Sequence, residues 1–317
     1  MNAAVPSRVA IVTPVFEDRA ASSRLFRELH DVLGPALFVV AIDDGSVREP
    51  VQISALEDAG VDGVVIRLRR NVGHQRAIAI GLSWLIDHVE GVGRIVVMDS
   101  DGEDLPASIS ELGAALESDD VDVVVAERRS RVETFRFRTF YTVYKWLFQL
   151  LSGRAISFGN FMAMKPAAAR RLVAMQELWI HLAACVLGSK LRVAPCALDR
   201  GPRYAGRSKM NFVGLVLHGF RALMVFADDV LVRVGIACAA VAALSVCGGI
   251  AAVVLKLIGI ATPGWFSVAF GILLLMFLQT GAITLMTLML AGVARGAATI
   301  RIEYGDFVDE VLVRDER

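Results

Sequence analysis

The sequence predicts an α/β domain built on a parallel sheet, followed by a hairpin of two membrane-spanning helices. Over the first 200 residues, apolar runs of strand length alternate with segments of helical periodicity, which is typical of a parallel sheet covered by helices on both faces. Nearer the C-terminus lie two uncharged stretches, each longer than the roughly 20 residues that cross a hydrocarbon core. An apolar content of 55% and a mean hydropathy of +0.56 agree with a chain that partly leaves water.

Five strands are predicted, each rich in branched aliphatic residues. They cover residues 8–16 (RVAIVTPVF), 36–44 (ALFVVAIDD), 63–68 (GVVIRL), 94–99 (RIVVMD) and 121–127 (VDVVVAE). Helical spacing between the strands is shown by two sets of apolar residues: Leu25, Leu29 and Val32, and Ile78, Leu82, Leu85 and Val89.

Polar clusters follow the first four strands directly. They are Glu17 and Asp18, the DDGS segment at 43–46, the RRNVGHQR segment at 69–76 and the DSDGED segment at 99–104. Ligands of open α/β sheets bind beyond the carboxyl ends of the strands. The four clusters therefore predict a single ligand-binding crevice.

Two carboxylates of the fourth cluster, Asp99 and Asp101, are separated by one residue where the chain turns. Mg²⁺ and Mn²⁺ prefer oxygen ligands, and Mg²⁺ is commonly held by one or two carboxylates together with substrate phosphates. The alternative is an ordinary aspartate-rich surface loop. The position at a strand end favours a site for a divalent cation and a diphosphate.

The second and third clusters are less specific. Asp43 and Asp44 suit hydrogen bonds to a base or ribose, and equally suit a turn in which Ser46 caps a helix. Gly73 precedes a helix whose N-terminus could face phosphate. The sequence predicts no catalytic role for His74, because the five histidines are scattered and form no recognisable Ser/His/Asp or Cys/His arrangement.

A basic segment, RGPRYAGRSKMNF at 200–212, contains Arg200, Arg203, Arg207 and Lys209. Guanidinium and ammonium groups in a glycine-containing loop suit an anionic substrate. They also suit a patch that binds anionic lipid headgroups. A phosphate carried on a lipid would satisfy both interpretations.

The apolar region starts with 22 uncharged residues between Arg233 and Lys256, and 38 more follow before Arg295, interrupted at 262–264. A buried helix pair is the alternative to two spans, but the short tail that follows could not surround it. Because the turn between the two apolar stretches is short, both ends of the hairpin emerge on the same face of the membrane. The flanking residues Arg221, Arg233, Arg295 and Arg301 predict that this face is cytoplasmic; Lys256, near the turn, counts against this and is explained by snorkelling.

Two segments between the sheet and the hairpin have apolar residues at helical spacing, 137–153 and 211–230. Each is predicted to be a helix lying in the membrane interface, with packing on the sheet as the alternative.

The overall charge and the cysteines restrict the function further. Lys plus Arg and Asp plus Glu number 33 each, so no global field favours nucleic acid as a partner. Four cysteines without metal-binding spacing are predicted to be reduced, and the N-terminus shows no export signal.

The segments TPVFED, DDGS, NVGHQRAIAIGL, MDSDGEDLP and RYAGRSKM, in this order and followed by a two-helix hairpin, resemble the polyprenyl-phosphate glycosyltransferases of glycosyltransferase family 2. That group includes dolichyl-phosphate mannose synthases and bacterial undecaprenyl-phosphate glucosyltransferases. The resemblance implies a GT-A (Rossmann-like) fold, a nucleotide-sugar donor, and Mg²⁺ or Mn²⁺ at Asp99 and Asp101. It further implies base and ribose contacts around Pro14, Glu17, Asp43 and Asp44, and phosphate contacts from Arg128, Arg203, Ser208 and Lys209.

One motif departs from this group. Relatives often carry a segment similar to DxTGSFR, whereas this chain has ISFGNFM, with Ile156 in place of the aspartate, Asn160 after Gly159, and Met162 in place of the arginine. A base or donor-orienting role at these positions is therefore not expected. A phosphate acceptor needs no strong base, because its second pKa is near 6.

The expected activity is inverting transfer of a hexose from a UDP- or GDP-sugar to undecaprenyl or decaprenyl phosphate, with Arg203 and Lys209 holding the acceptor phosphate. The alternatives are transfer to a hydroxyl of a lipid-linked glycan and a non-catalytic scaffold that binds nucleotide sugar. The expected organisation is a cytoplasmic catalytic domain (1–209), a juxtamembrane helix (210–232), two spans of the inner membrane (233–294) and a cytoplasmic tail (295–317). A homo-oligomer is compatible with the sequence.

Overall fold

The structure is a computed structural model that describes residues 8–128, 135–204, 212–260, 262, 264–296 and 303–314. The strands in this part of the chain are β1 (Arg8–Val15), β2 (Leu37–Asp43), β3 (Asp62–Leu68), β4 (Val92–Val97), β5 (Val123–Arg128), β6 (Met162–Met164), β7 (Val193–Leu198) and β8 (Val308–Val313). The α-helices are α1 (Arg19–Leu33), α2 (Ser54–Glu57), α3 (His74–His88), α4 (Ile109–Leu116), α5 (Phe135–Ser152), α6 (Pro166–Val173), α7 (Leu182–Gly188), α8 (Phe212–Met224), α9 (Ala227–Leu257) and α10 (Trp265–Gly296).

The described strands form one sheet in the order β7-β5-β6-β4-β1-β2-β3-β8. Strands β4, β1, β2 and β3 are mutually parallel, which confirms the core of the predicted sheet. The short strand β6 lies antiparallel between β4 and β5, and β8 pairs antiparallel with β3. The five predicted strands are confirmed, whereas β6, β7 and β8 were not predicted.

Both faces of the sheet are buried, which explains why its strands are continuous apolar runs. In β1, Ala10 and Val12 pack on the face covered by α3, α6 and α7, while Ile11 and Val15 pack on the face covered by α1, α2 and α4. Each fully buried aliphatic side chain contributes roughly 1.5–3 kcal/mol. Of the predicted helical core positions, Val32 is an exception, because its side chain is 44% exposed at the end of α1.

The described part of the C-terminal tail belongs to the same sheet. Strand β8 pairs with β3, the Tyr304 hydroxyl donates to Asp87 at 2.9 Å, and Phe307 lies against Trp179 with ring centroids 5.9 Å apart. The expected boundary at 295, which made 295–317 a separate tail, therefore differs from the structure. The alternating sequence VDEVLV covers an otherwise open sheet edge, which protects that edge from pairing with other chains.

The chain divides into two units. The first contains the sheet and comprises residues 1–142, 156–225 and 301–317; the second comprises 143–155 and 226–300. In the second unit, α9 and α10 pack along each other. Both contain a segment long and apolar enough to cross a membrane, with mean hydropathies of 2.4 and 2.1.

The helix boundaries differ from the expected limits of 210–232 and 233–294. Helix α8 ends at Met224, and α9 begins at Ala227 with Asp228 and Asp229 in its first turn. Acidic side chains are favourable there because they complement the positive end of the helix dipole. The helix therefore starts before its apolar portion does.

Several apolar side chains are exposed on the helices predicted to lie in the membrane interface. On α8, Ala222 is buried, whereas Leu217, Phe220 and Met224 are more than half exposed. On α5, the exposed residues include Trp146, at 63%. The four cysteines, all in described parts of the chain, form no disulfide.

Candidate active site

The loops after β1 and β2 are joined by Glu17. Its carboxylate accepts the backbone N–H groups of Val47, Arg48 and Glu49 at 2.8–3.2 Å. These hydrogen bonds lower the pKa of Glu17. Its own N–H donates to the Ser46 hydroxyl at 2.8 Å, and its backbone is left-handed, with φ of 48°. Glu17 therefore shapes the loop after β2.

Asp43 and Asp44 bind backbone amides in two directions. Asp43, at the end of β2, accepts the N–H groups of Ser46 and Val51, both at 2.8 Å. Asp44 accepts those of Val72 and Gly73 in the loop after β3, at 2.7 and 3.0 Å. Burial raises the pKa of Asp44. The interpretation of these carboxylates as turn residues thus fits, although Ser46 caps no helix. Their contact with the base or ribose of a nucleotide-sugar donor stays a prediction.

The DSDGED turn follows β4. Asp104 accepts the N–H of Asp99 at 3.0 Å, and Asp101 Oδ1 accepts that of Glu103 at 3.0 Å. Burial, together with the negative charge of Asp99, raises the pKa of Asp104 well above its usual range. Burial and the Asp99 charge also raise the pKa of Asp101. The turn thus concentrates negative charge at the carboxyl edge of the sheet.

Two arginines of the basic segment neutralise part of that charge. Arg203 forms an ion pair with Asp101, and Arg200 forms one with Glu103. Backbone hydrogen bonds join the same two segments. The N–H of Gly201 donates to the Glu103 carbonyl at 3.0 Å, and the N–H of Tyr204 donates to the Asp101 carbonyl at 2.8 Å. The structure therefore places 200–204 directly on the DSDGED turn, a pairing between residues about 100 positions apart.

Tyr204 anchors this segment to α1. Its hydroxyl donates to Glu28, and Arg24 lies over its ring at 4.3 Å from the centroid. The ring packs on Gly102, where an added Cβ would lie 2.6 Å from the ring and where φ is +87°. Only glycine fits this position without strain, since its left-handed backbone and the ring both exclude a side chain.

The remaining predicted site residues lie in different surroundings. Pro14 is buried within β1, next to β2, and Arg128 is exposed at the end of β5. Ser208 and Lys209 lie outside the described residues. Met162 stands where relatives carry arginine. Its side chain, on strand β6, is fully buried in the core on one face of the sheet, so it cannot reach a nucleotide-sugar donor.

His74 was not predicted to be a site residue, yet it lies at the DSDGED turn. Its Nε2 is 3.1 Å from Asp99 Oδ1 and 2.9 Å from Asn160 Nδ2. Burial lowers the pKa of His74, but the Asp99 charge outweighs this, and the pKa is raised overall. The sequence carried one usable signal: His74 starts the helix that crosses from β3 to β4, so its first turn passes the ends of the intervening strands.

The site fits a divalent cation with a diphosphate. Asp99 Oδ1 is shielded from solvent, and His74 Nε2 lies 3.1 Å from it. Within those ranges no three His, Cys, Asp or Glu side chains converge as a complete ligand set. A cation held here would therefore need phosphate oxygens and water to complete its coordination. Arg200 and Arg203 add positive charge beside it.

Comparison with known proteins identifies the fold and the family of this chain. The chain is similar to the uncharacterised glycosyltransferase YkoT of Bacillus subtilis (strain 168), with 25% identity over 283 residues, 86% of this chain and 83% of YkoT. Glucosyl-3-phosphoglycerate synthase from Mycobacterium tuberculosis, solved with Mn²⁺, UDP-glucose and phosphoglyceric acid, superimposes with a TM-score of 0.50 at 17% identity, over 72% of this chain and 80% of that one. The mannosyltransferase PcManGT from Pyrobaculum calidifontis, solved with GDP-mannose and Mn²⁺, gives a TM-score of 0.47 at 15% identity over 88% and 87%.

The predicted GT-A fold is confirmed by this likeness and by the family profile described as "Glycosyl transferase family 2", which matches residues 10–179. More than half of the chain, from β1 to the segment just before α7, is covered by the match. The chain is therefore a nucleotide-sugar-dependent glycosyltransferase and belongs to glycosyl transferase family 2.

Proposed function

We propose that this protein is a membrane-bound inverting glycosyltransferase that moves a hexose from a UDP- or GDP-sugar to a polyprenyl phosphate. The observation that carries the proposal is the pairing of the DSDGED turn with Arg200 and Arg203, in a chain that also contains two apolar helices of spanning length. Carboxylates suit a cation with a diphosphate, and arginines suit a second phosphate.

On the donor side, Asp99 and Asp101 would hold Mg²⁺ or Mn²⁺, which stabilises negative charge on the departing nucleoside diphosphate. Glu17, Asp43 and Asp44 keep the loops after β1, β2 and β3 together through backbone hydrogen bonds. We propose that the nucleoside binds over these loops. The buried position of Pro14 favours a supporting role for it beneath the nucleoside.

On the acceptor side, a phosphate oxygen would attack the anomeric carbon from the face opposite the diphosphate. A bond forms between the acceptor phosphate oxygen and the anomeric carbon, the bond from the anomeric carbon to the diphosphate oxygen breaks, and the configuration inverts. Arg203, with Ser208 and Lys209 of the same segment, would hold the acceptor phosphate against repulsion from the donor. The substitutions at Ile156 and Met162 are compatible with this, because an anionic acceptor needs no strong base.

The membrane assignment is supported by the order of elements. Strands β3 and β8 pair in one sheet although α9 and α10 lie between them in the chain. If the two helices cross a bilayer, the crossings must be even in number so that the chain returns to its own sheet. The basic residues Arg221, Arg233 and Arg295 near the helix ends favour a cytoplasmic sheet by the positive-inside rule.

The exposed apolar face of α8 supports the same proposal. Leu217, Phe220 and Met224 would enter the lipid interface, while His218 and Ala222 face the protein. Such a helix would keep a lipid-borne phosphate close to the enzyme, which supplies positioning for the reaction.

The test is transfer of radiolabelled hexose from a panel of UDP- and GDP-sugars into organic-extractable lipid. It uses the purified full chain, polyprenyl phosphate and Mg²⁺ or Mn²⁺, with EDTA as a control. We expect a label that mild acid releases, as is typical of a sugar phosphodiester. Asp99→Asn should reduce kcat at least 100-fold by removing a ligand that stabilises the leaving group. Asp58→Asn, an exposed carboxylate outside the site, should retain full activity.

Two results would contradict the proposal. Acid-stable label in a lipid-linked glycan would indicate a hydroxyl acceptor. No transfer from any donor by folded protein, with unchanged growth of cells carrying Asp99→Asn, would indicate a scaffold that binds nucleotide sugar.

A further inference from the structure

Two histidines join α7 to α8. His181 Nε2 lies 3.0 Å from His218 Nε2, and the ring centroids are 4.4 Å apart. His181 is also the N-cap of α7, because its Nδ1 accepts the N–H of Ala184 at 3.3 Å. Burial lowers the pKa of His181 to about 3, and burial also lowers the pKa of His218. Both rings are therefore neutral at neutral pH, and the ring hydrogen of His181 is on Nε2, which donates it to His218.

The first turn of α7 is also bound to Gln75, in the first turn of α3. The N–H of Leu182 donates to Gln75 Oε1 at 2.7 Å, so Gln75 Nε2 is the atom that donates to Asn160 Oδ1 at 3.0 Å. The other end of the Asn160 amide, Nδ2, lies 2.9 Å from His74 Nε2. Because His181 and Leu182 are neighbours in the chain, one connected series of hydrogen bonds leads from α8 to the edge of the candidate site.

The middle of this series lies in the core of the sheet domain. Gln75 and His181 are only 4% and 3% exposed, and Leu182 is fully buried. A buried polar group is costly when it loses its partner, so a fully paired network of this kind has few alternative arrangements. Displacement of α8 would take the acceptor away from His181 and would thereby loosen the first turn of α7.

We propose that His218, His181 and Gln75 are positioning residues for the candidate site. While α8 is seated on α7, they hold the Asn160 amide in one orientation beside the DSDGED turn. The inference rests on the proposed function, in which the exposed apolar face of α8 enters the lipid interface and the acceptor is carried on a lipid. The seating of α8 and the arrangement of the site are then coupled, through a packed network of the kind that commonly carries such coupling.

The first test is hydrogen exchange of the Leu182 amide in the full chain in detergent, without donor or acceptor. Two variants break the histidine pair: His218→Ala removes the acceptor, and His181→Asn keeps a capping side chain that is too short to reach α8. Both should lower the protection of the Leu182 amide at least about tenfold. His218→Gln restores an acceptor and should retain the protection. The amide of Ala169, within α6 of the same domain, should stay protected in all three variants.

The second test is the kinetics of hexose transfer. His218→Ala should lower kcat about tenfold, and His218→Gln should keep kcat within about twofold of the wild type. Gln75→Leu should also lower kcat about tenfold. The double variant of His218→Ala and Gln75→Leu should be at most about twofold slower than the slower single variant, because both changes break one series, whereas independent effects would multiply.

The matched control is His88→Ala, at the other end of α3, where the ring stacks on Trp84 with centroids 4.7 Å apart. It should retain both the protection and kcat. Unchanged protection of the Leu182 amide in His218→Ala would overturn the inference. So would an equal loss at Ala169, which would indicate general destabilisation, and so would effects on kcat that multiply in the double variant.

The inference and the proposed function fail separately. If His218→Ala lowers protection at Leu182 only, but the wild type transfers no hexose to polyprenyl phosphate, the proposed acceptor alone is refuted. If the wild type transfers hexose and His218→Ala matches it in both protection and kcat, the positioning role alone is refuted.

Discussion

Replacing Gly45 by alanine should separate the loops after β2 and β3. Gly45 has φ of +70°, and an added Cβ would lie 2.4 Å from the backbone carbon of Arg70 and 2.5 Å from the backbone nitrogen of Asn71. Neither neighbour is a flexible side chain, so the two backbones must move apart by about 0.6 Å to restore even a 3.0 Å contact. The same movement would stretch the bonds from Asp44 to Val72 and Gly73, now 2.7 and 3.0 Å, beyond the usual range.

The expected cost has two parts. A left-handed non-glycine residue costs about 1–2 kcal/mol. Weakening two hydrogen bonds to a carboxylate, each worth about 1.5–3 kcal/mol when intact, adds about 2–3 kcal/mol. Gly91→Ala isolates the first part, because Gly91 has φ of +71° and no described atom within 4 Å of its would-be Cβ.

Hydrogen exchange at the amides of Val72 and Gly73 measures the second part. The extra 2–3 kcal/mol corresponds to protection about 30- to 150-fold lower in Gly45→Ala than in Gly91→Ala. The affinity for nucleotide sugar should fall only in Gly45→Ala. Equal protection of these two amides in both variants would refute the reasoning, because it would show that the loops do not depend on the close approach at Gly45.

Three further predictions concern the same domain. Gly102→Ala should displace the Tyr204 ring and lower kcat/KM at least about tenfold, since the ring holds 200–204 on the DSDGED turn; the thermal midpoint should fall as well, because φ at Gly102 is +87°, and unchanged kinetics would contradict this. The pKa of Glu17 is lowered in the folded state, so its carboxylate stabilises the loop at 46–49 above the unfolded-state pKa, and this is lost as pH falls through the lowered value. Hydrogen exchange of that loop should therefore increase on acidification, and Glu17→Gln should show the increase already at neutral pH. Hydrogen bonds from Arg192 lower the pKa of Asp122 to about 2. This contribution is present above pH about 4 and disappears towards pH about 2, and because the pair is partly exposed, Asp122→Asn should cost only about 1 kcal/mol in chemical unfolding at neutral pH.

The sequence predicted the parts of the fold that depend on local pattern. Strands β1 to β5 are runs of branched aliphatic residues buried on both faces, and such runs are recognisable without knowing their neighbours. The same holds for the apolar segments of α9 and α10, whose length and high hydropathy are properties of the chain itself. Strand β6 could not be predicted, because three residues are too few to show a period. These residues form a strand because they pair with β4 on one side and β5 on the other.

At the site, sequence alone located the carboxylates and the basic segment. Asp99, Asp101 and Arg203 are residue types whose charge indicates chemistry wherever they occur, and the end of a parallel strand is a recurring place for it. The sequence could not show that Arg203 pairs with Asp101, because that contact depends on how 200–204 folds back over the sheet.

Tertiary structure alone brought His74 and Asn160 into contact. These residues lie 86 positions apart, and neither belongs to a motif that requires the other. The crossover helix α3 brings the first to the end of β4, and the segment before β6 brings the second beside it, where the amide of Gln75 donates to Asn160 at 3.0 Å. Residue type and local period determine where a strand or a charge is placed along the chain. The direction of a hydrogen bond between distant side chains is set only once the sheet has brought them together.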